Sequence, residues 1–216
     1  ASSSRYLLGL INDILDLSRI ERGKMSIRQE VFDFQEMIKS LAAISSAQAQ
    51  ERRQDFGIRV SGDFDQIYAG DELRLKQILL NILSNAHKYT PDGGRVLMEV
   101  FSNPAANGIT MMKFAVSDNG AGIEPEYLEK IFEPFCQGSN ASGSTGSGLG
   151  LAITQNLVHL MNGSITVSST YGKGSCFTVE LPLKRVEGAG FPAKNTQVVG
   201  DRDLRILLVD DDAAVC

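Results

Sequence analysis

From Asp71 to Tyr89 the chain places Leu75, Ile78, Leu79, Ile82 and Leu83 at helical spacing, a stripe that must lie against a second layer. Two strand-like runs that follow, Val96–Phe101 and Met111–Val116, supply such a layer, joined by the polar hairpin connection Asn103–Gly108. Further strands are expected around Met25–Phe32, at Gly57–Val60, Ser164–Ser168 and Cys176–Leu181, the last two joined by a turn at Tyr171–Gly174. Helices are expected from about Phe34 to Arg53, at Pro125–Ile131, and up to Met161, where Asn162-Gly163 ends the segment. These elements do not alternate strictly as βαβ. The expected fold class is therefore α/β in the form of an α+β sandwich, one mixed β-sheet layered with helices.

The two ends of the chain read differently. Leu7, Leu10, Ile14 and Leu17 repeat at steps of three and four, with Leu8, Ile11 and Leu15 on an adjoining stripe, and Gly23 stops the helix. A seam that wide calls for a partner helix. Residues from about Arg185 to Asp203 have linker composition, and Leu204–Val209 is a buried-strand pattern leading into Asp210, Asp211 and Asp212. A net charge of −5 argues against a nucleic-acid surface, and no apolar run approaches the roughly 20 residues that cross a bilayer. Cys136, Cys176 and Cys216 have neither paired nor metal-type spacing, which points to a reduced, cytoplasmic setting.

Three groups of residues carry candidate chemistry. Asn81, Asn85 and Lys88 fall at i, i+4 and i+7 of the long helix, so two amides and an ammonium share one face. Such a face suits a hydrated Mg²⁺ and a phosphate chain, although a solvated polar stripe has the same spacing. Asp118-Asn-Gly-Ala-Gly-Ile123 directly follows a strand. Its carboxylate is a pure acceptor suited to an exocyclic amine, and Gly120 and Gly122 permit close backbone approach; a glycine turn with an Asx cap reads equally well. Gly146-Ser-Gly-Leu-Gly150 enters a helix, where backbone N–H groups bind phosphate, and the Gly/Ser stretch Gly138–Gly150 has the composition of a lid. A flexible linker is the alternative, and neither a Walker A loop nor a dinucleotide fingerprint is matched. Asp55-Phe56-Gly57 lacks the surrounding motifs of a protein-kinase metal site.

In this order and spacing the three groups resemble the histidine kinase branch of the Bergerat-fold ATPases, from about Met25 to Leu183. The resemblance includes an F box at Phe132-Glu-Pro-Phe135 and a late glycine turn at Gly172-Lys-Gly-Ser175. It implies that ATP is bound by Asn81, Asn85, Lys88, Tyr89, Asp118, Gly120, Gly122, Ile123, Gly146, Gly148, Leu149, Gly150 and Ser175. Asp118 would accept from the adenine amine with Gly122 beside the base, and Tyr89 and Ile123 would form the base pocket. Asn85 would bind Mg²⁺, with Asn81 in support and Lys88 on phosphate. The glycines at 146, 148 and 150 would close over the phosphates. Ser175 stands where related ATPases often have threonine, and Gln137 where many members have arginine.

The same resemblance divides the chain into residues 1–23, the second helix of a dimerisation and histidine-phosphotransfer hairpin; 24–184, the catalytic ATP-binding domain; 185–203, a linker; and 204–216, the first strand of a receiver. Expected partners are ATP, the parent's own hairpin and receiver, and a second copy in a homodimer of the full-length protein, with no nucleic acid and no direct membrane contact. The location implied is cytoplasmic, or the cytoplasmic part of a membrane-bound sensor. Neither His87 nor His159 sits beside the residues of the family's His box, so the phosphoacceptor is expected outside this sequence and both read as ordinary helix residues. Two rivals are a clamp ATPase of the gyrase or chaperone type and a nucleotide-free scaffold. The first needs a glutamate base where Asn81 stands, and an amide is no base near neutral pH.

Overall fold

A computed structural model describes residues 2–62, 67–136, 147–186 and 206–209. Helix α1, Ser2–Glu21, leads to strand β1, Glu30–Asp33, helix α2, Phe34–Glu51, and strands β2, Asp55–Ser61, and β3, Ile67–Gly70. Helix α3, Glu72–Tyr89, is followed by β4, Arg95–Pro104, and β5, Ile109–Asp118. The short α4, Pro125–Leu128, precedes α5, Gly150–Leu160, and strands β6, Ser164–Thr170, β7, Gly174–Arg185, and β8, Ile206–Val209, complete the order.

The strands form one mixed sheet in the order β1-β3-β7-β5-β4-β2-β8, with β6 pairing the first part of β7. Alternation along each strand sends one set of side chains inward. Val96, Met98 and Val100 of β4 are buried, as are Met112, Phe114 and Val116 of β5 and Phe177, Val179, Leu181 and Leu183 of β7. They meet the apolar faces of α2, α3 and α5, which make the second layer. The stripe Leu75, Ile78, Leu79, Ile82 and Leu83 lies wholly in this core. The expected sandwich is therefore the observed one.

Helices α2 and α3 each start on an aspartate: the Asp33 carboxylate accepts from Glu36 N–H and that of Asp71 from Arg74 N–H, each at 3.0 Å. Asp71 is itself buried and also accepts from Arg28 N–H at 3.0 Å. That bond explains why the strand expected around Met25–Phe32 is confined to Glu30–Asp33: the backbone before it is tied to a helix cap, not to a neighbouring strand. Strand β3 has no counterpart in the sequence reading. Its four residues bury only Tyr68 and Gly70, and its existence depends on β1 and β7 on either side. Helix α4 is shorter than the expected Pro125–Ile131, since turns take over after Leu128.

Helix α1 divides its seam. Leu10, Leu17 and Ile20 pack on the core, while Leu7, Leu8, Ile11, Ile14 and Leu15 are exposed. Gly23, at φ +62, closes the helix with Gly23 N–H bonded to the Ile20 carbonyl and Lys24 N–H to that of Arg19. The expected linker beyond residue 186, the acidic run at 210–212 and Cys216 lie outside the described residues. Within the expected strand Leu204–Val209, residues 206–209 pair in parallel with β2 at the sheet edge.

Candidate functional site

Asp118 ends β5, and the chain turns at once through Gly120 and Gly122. Gly120 N–H donates to Asp118 Oδ1 at 2.8 Å, which aims the carboxylate across the turn. Burial raises the Asp118 pKa, opposed by the backbone N–H groups of Gly120 and Ser175. A Cβ on Gly120 would overlap the Tyr89 carbonyl, and one on Gly122, at φ +67, the Thr170 carbonyl. These glycines are therefore required by packing, whatever they do for a ligand. Ala121 N–H donates to the Tyr89 carbonyl at 3.1 Å, and Gly172 N–H to that of Ala121 at 2.7 Å. Ile123 N–H reaches Ser169 Oγ at 2.8 Å; that hydroxyl donates to the Gly174 carbonyl at 2.9 Å and lies 3.0 Å from Ser175 Oγ. Backbone from four segments thus converges on one loop.

A cavity of about 290 Å³ lies alongside, between α3 and the start of α5. Asn81, Asn85, Lys88 and Tyr89 line it from α3, and Gly148, Gly150 and Thr154 from the facing segment. Asn81 Nδ2 donates to Thr154 Oγ1 at 2.8 Å, so this amide is occupied in joining the two helices. Asn85 lines the same wall, and no hydrogen bond occupies its amide among the described residues. Lys88 Nζ lies 4.8 Å from the centre of the Tyr89 ring. A Cβ on Gly150 would overlap Asn81 Oδ1; on Gly148, at φ +69, it would crowd the Phe135 backbone. Phe135 N–H donates to the Gly148 carbonyl at 2.9 Å, which joins the end of the Phe132–Phe135 motif to the base of the glycine loop.

Of the sequence-derived residues, Asn81, Asn85, Lys88, Tyr89, Gly148 and Gly150 line the cavity, and the others divide three ways. Gly146 and the remainder of the loop through 137 lie outside the described residues, as does Gln137. The Leu149 side chain is fully buried in the core, so only its backbone can serve the site, and its N–H is taken by Ser147 Oγ at 3.2 Å. Asp118, Gly120, Gly122, Ile123 and Ser175 form the neighbouring loop cluster and do not line the cavity.

The cavity wall also contains residues that the sequence reading did not select, among them Asp13, Gln77, Ser84, Cys136 and Ser147. Asp13 comes from α1 and accepts from Ser147 Oγ at 3.2 Å. Its pKa is raised, chiefly by burial, against which the Ser147 bond works, and also by the neighbouring Asp16. Asp16 in turn pairs with Arg74 at 2.9 Å and accepts from Gln77 at 3.2 Å, which anchors α1 beside the cavity. The polar residues facing inward on α1 at heptad-adjacent positions were the available signal. His87 is a buried member of α3, and its pKa is lowered to about 4 by burial and by Arg52 nearby.

The class of protein is set by this combination: a helix-covered mixed sheet with a polar cavity between two helices and an acidic glycine turn at a strand end. Residues 70–185 match the family described as Histidine kinase-, DNA gyrase B-, and HSP90-like ATPase. The chain belongs to that family, on its histidine kinase branch. It is 35% identical over 219 residues, 98% of this chain, to the autoinducer 2 sensor kinase/phosphatase LuxQ of Vibrio cholerae. It is 39% identical over 182 residues, 83% of this chain, to hybrid signal transduction histidine kinase B of Dictyostelium discoideum. The chain spans 25% of the former and 9% of the latter. Full-length ShkA in complex with AMPPNP superposes with a TM-score of 0.70 at 33% identity, over 86% of this chain and 37% of that one. The nucleotide-free catalytic domain of ThkA shares the fold, with a TM-score of 0.60 over 73% of this chain and 98% of that one. This is thus an ATP-binding histidine kinase catalytic domain. No helix among the described residues is long and apolar enough to cross a membrane.

Proposed function

We propose that the cavity and the Asp118 loop hold one Mg-ATP, and that its γ-phosphoryl passes to a histidine on a helix hairpin of the parent protein. The observation that carries this is the meeting of the Asn85–Lys88 face of α3 with the Gly148–Gly150 entry to α5, beside an acceptor carboxylate. Asp118 would take the adenine N6 amine, Gly122 would lie beside the base, and Ser175 would reach it through water. Lys88 and the α5 N-terminus would meet the phosphates. Asn85 is the residue suited to Mg²⁺: its amide has no hydrogen-bond partner among the described residues, and a hard cation that keeps its waters needs only that oxygen and phosphate oxygens. Transfer then depends on in-line positioning and neutralised charge, because the histidine supplies its own nucleophile.

The donor to Thr154 is Asn81, at the position where a clamp ATPase would have its base, which favours a kinase over a hydrolase. Residues 1–23 would be the second helix of the hairpin, through which the full-length protein would pair as a homodimer. Residues 24–184 would be the catalytic unit, 185–203 a linker and 204–216 the first strand of a receiver that takes the phosphoryl group onward. The reaction would be cytoplasmic.

Incubation of the chain with γ-labelled ATP, alone and with the parent's hairpin domain, tests the assignment. Acid-labile label on the hairpin only in the mixture is expected. Label on His87 or His159 of the chain alone, or steady phosphate release abolished by Asn85→Ala, would overturn it in favour of self-modification or hydrolysis.

A further inference from the structure

Beneath the last turn of α3 lies a buried polar chain that the nucleotide assignment does not use. Ser45 of α2, Gln54 before β2 and His87 of α3 are all buried, and Phe56 meets the His87 ring edge-on at 5.3 Å between centroids. Gln54 Nε2 lies 3.0 Å from the His87 carbonyl, 2.7 Å from the Thr90 carbonyl and 3.4 Å from that of Pro91. Only the NH₂ group can face three carbonyl oxygens, so the orientation of the amide is decided. Gln54 Oε1 then faces His87 Nδ1 at 2.7 Å, and that nitrogen must carry the proton. The bare Nε2 accepts from Ser45 Oγ at 2.7 Å. Each polar atom of the imidazole has one partner of the correct sense.

The carbonyls that Gln54 grips belong to the last turn of α3, its cap Thr90 and the Pro91 that follows, where backbone acceptors lack intrahelical donors. Between them sit Lys88 and Tyr89, whose side chains line the cavity, and the Tyr89 carbonyl supports the Asp118 loop through Ala121 N–H. We propose that Gln54, held in its orientation by His87 and Ser45, is a positioning residue for the nucleotide: it fixes the last turn of α3 so that Lys88 meets the phosphates. The proposal rests on the nucleotide reading of the cavity. Nothing in it requires Gln54 to touch the ligand. Its place below the helix terminus means that it acts through Lys88.

The test is a double-mutant cycle on the full chain, read as the calorimetric Kd for Mg-ADP with thermal unfolding measured in parallel. Gln54→Ala should weaken binding about tenfold, the scale of one lost buried hydrogen bond. In a Lys88→Ala background the same change should cost almost nothing, whereas in an Asp118→Asn background it should keep its full cost. His87→Asn, whose amide N–H can replace the Nδ1 donor, should bind better than His87→Ala. A loss that is equal in the Lys88→Ala and Asp118→Asn backgrounds would reduce Gln54 to a general stabiliser and overturn the proposal. Unaltered binding by Gln54→Ala, beside weakened binding by Lys88→Ala, would do the same. Unaltered binding by Lys88→Ala itself would instead remove the phosphates from Lys88 and the underlying reading with them.

Discussion

The loop after β5 and the cavity between α3 and α5 are adjacent, yet they hold their shapes by different means. Around Asp118, Gly120 and Gly122 most contacts are made by backbone, the carbonyls of Tyr89, Thr170 and Ala121 and the amides of Ala121 and Gly172, with the Asp118 carboxylate and the Ser169 hydroxyl as the side-chain members. Around Asn81, Asn85 and Lys88 they are made by side chains, with the Asn81–Thr154 bond as the tie. Backbone bonds are fixed by the path of the chain, whereas a side chain can change rotamer. The Asp118 loop is thus held chiefly by main chain, and the cavity wall between α3 and α5 by side chains that can adjust.

Glycine substitution separates the two regions most sharply. Gly122→Ala adds a Cβ at φ +67 against the Thr170 backbone, so strain and overlap together should cost about 3 kcal/mol of stability in denaturant unfolding. An unfolding midpoint equal to that of the unmodified chain would refute the rigid reading of the loop. Acid tests the part common to both regions, the His87 layer under the last turn of α3. The unfolded chain takes up a proton near 6.5 and the folded chain only near 4. The contribution of His87 to stability is therefore complete above pH 6.5 and falls as the pH drops to about 4, by roughly 2–3 kcal/mol. The His87→Asn variant should lose this part of the pH dependence in urea titrations.

Smaller effects distinguish the regions by ligand. Asp118→Asn should weaken Mg-ADP by about 1.5–3 kcal/mol in calorimetry, since an acceptor facing an amine becomes partly a donor. Because the Asp118 pKa is raised, acid should weaken binding in the same way at a pH above the ordinary carboxylate range, and the variant should not show it. At the junction of α3 and α5, Gly150→Ala presses on the Asn81 side chain, so its cost should be only about 1–2 kcal/mol. Asn81→Ala, which loses the bond to Thr154, should cost about 1 kcal/mol, and the double variant less than the sum. Strict additivity in thermal unfolding would mean that the two groups do not meet.

Much of the site was legible because its residues lie in short local patterns. The i, i+4, i+7 spacing of Asn81, Asn85 and Lys88 needs only a helix to bring them together, and Asp118 with its glycines needs only a strand end. The apolar stripe of α3 likewise required a sheet to cover, and it has one. What stayed hidden depends on distance in sequence. Asp13 and Ser147 meet across 134 positions, and Ser45, Gln54 and His87 join two helices and the segment before β2.

The sequence by itself determined the layered architecture, the polar face and the acidic glycine turn, because hydrophobic period and backbone permission are local properties. Tertiary structure alone decided that β3 exists, since four residues with two inward positions become a strand only when β1 and β7 supply the ladder. It also decided which asparagine is spent on Thr154 and which faces the cavity with no partner among the described residues, a distinction that two identical side chains on one helical face cannot carry. The reason is physical: a hydrogen bond is fixed by the partner's position, and that position is set only when α5 packs across α3.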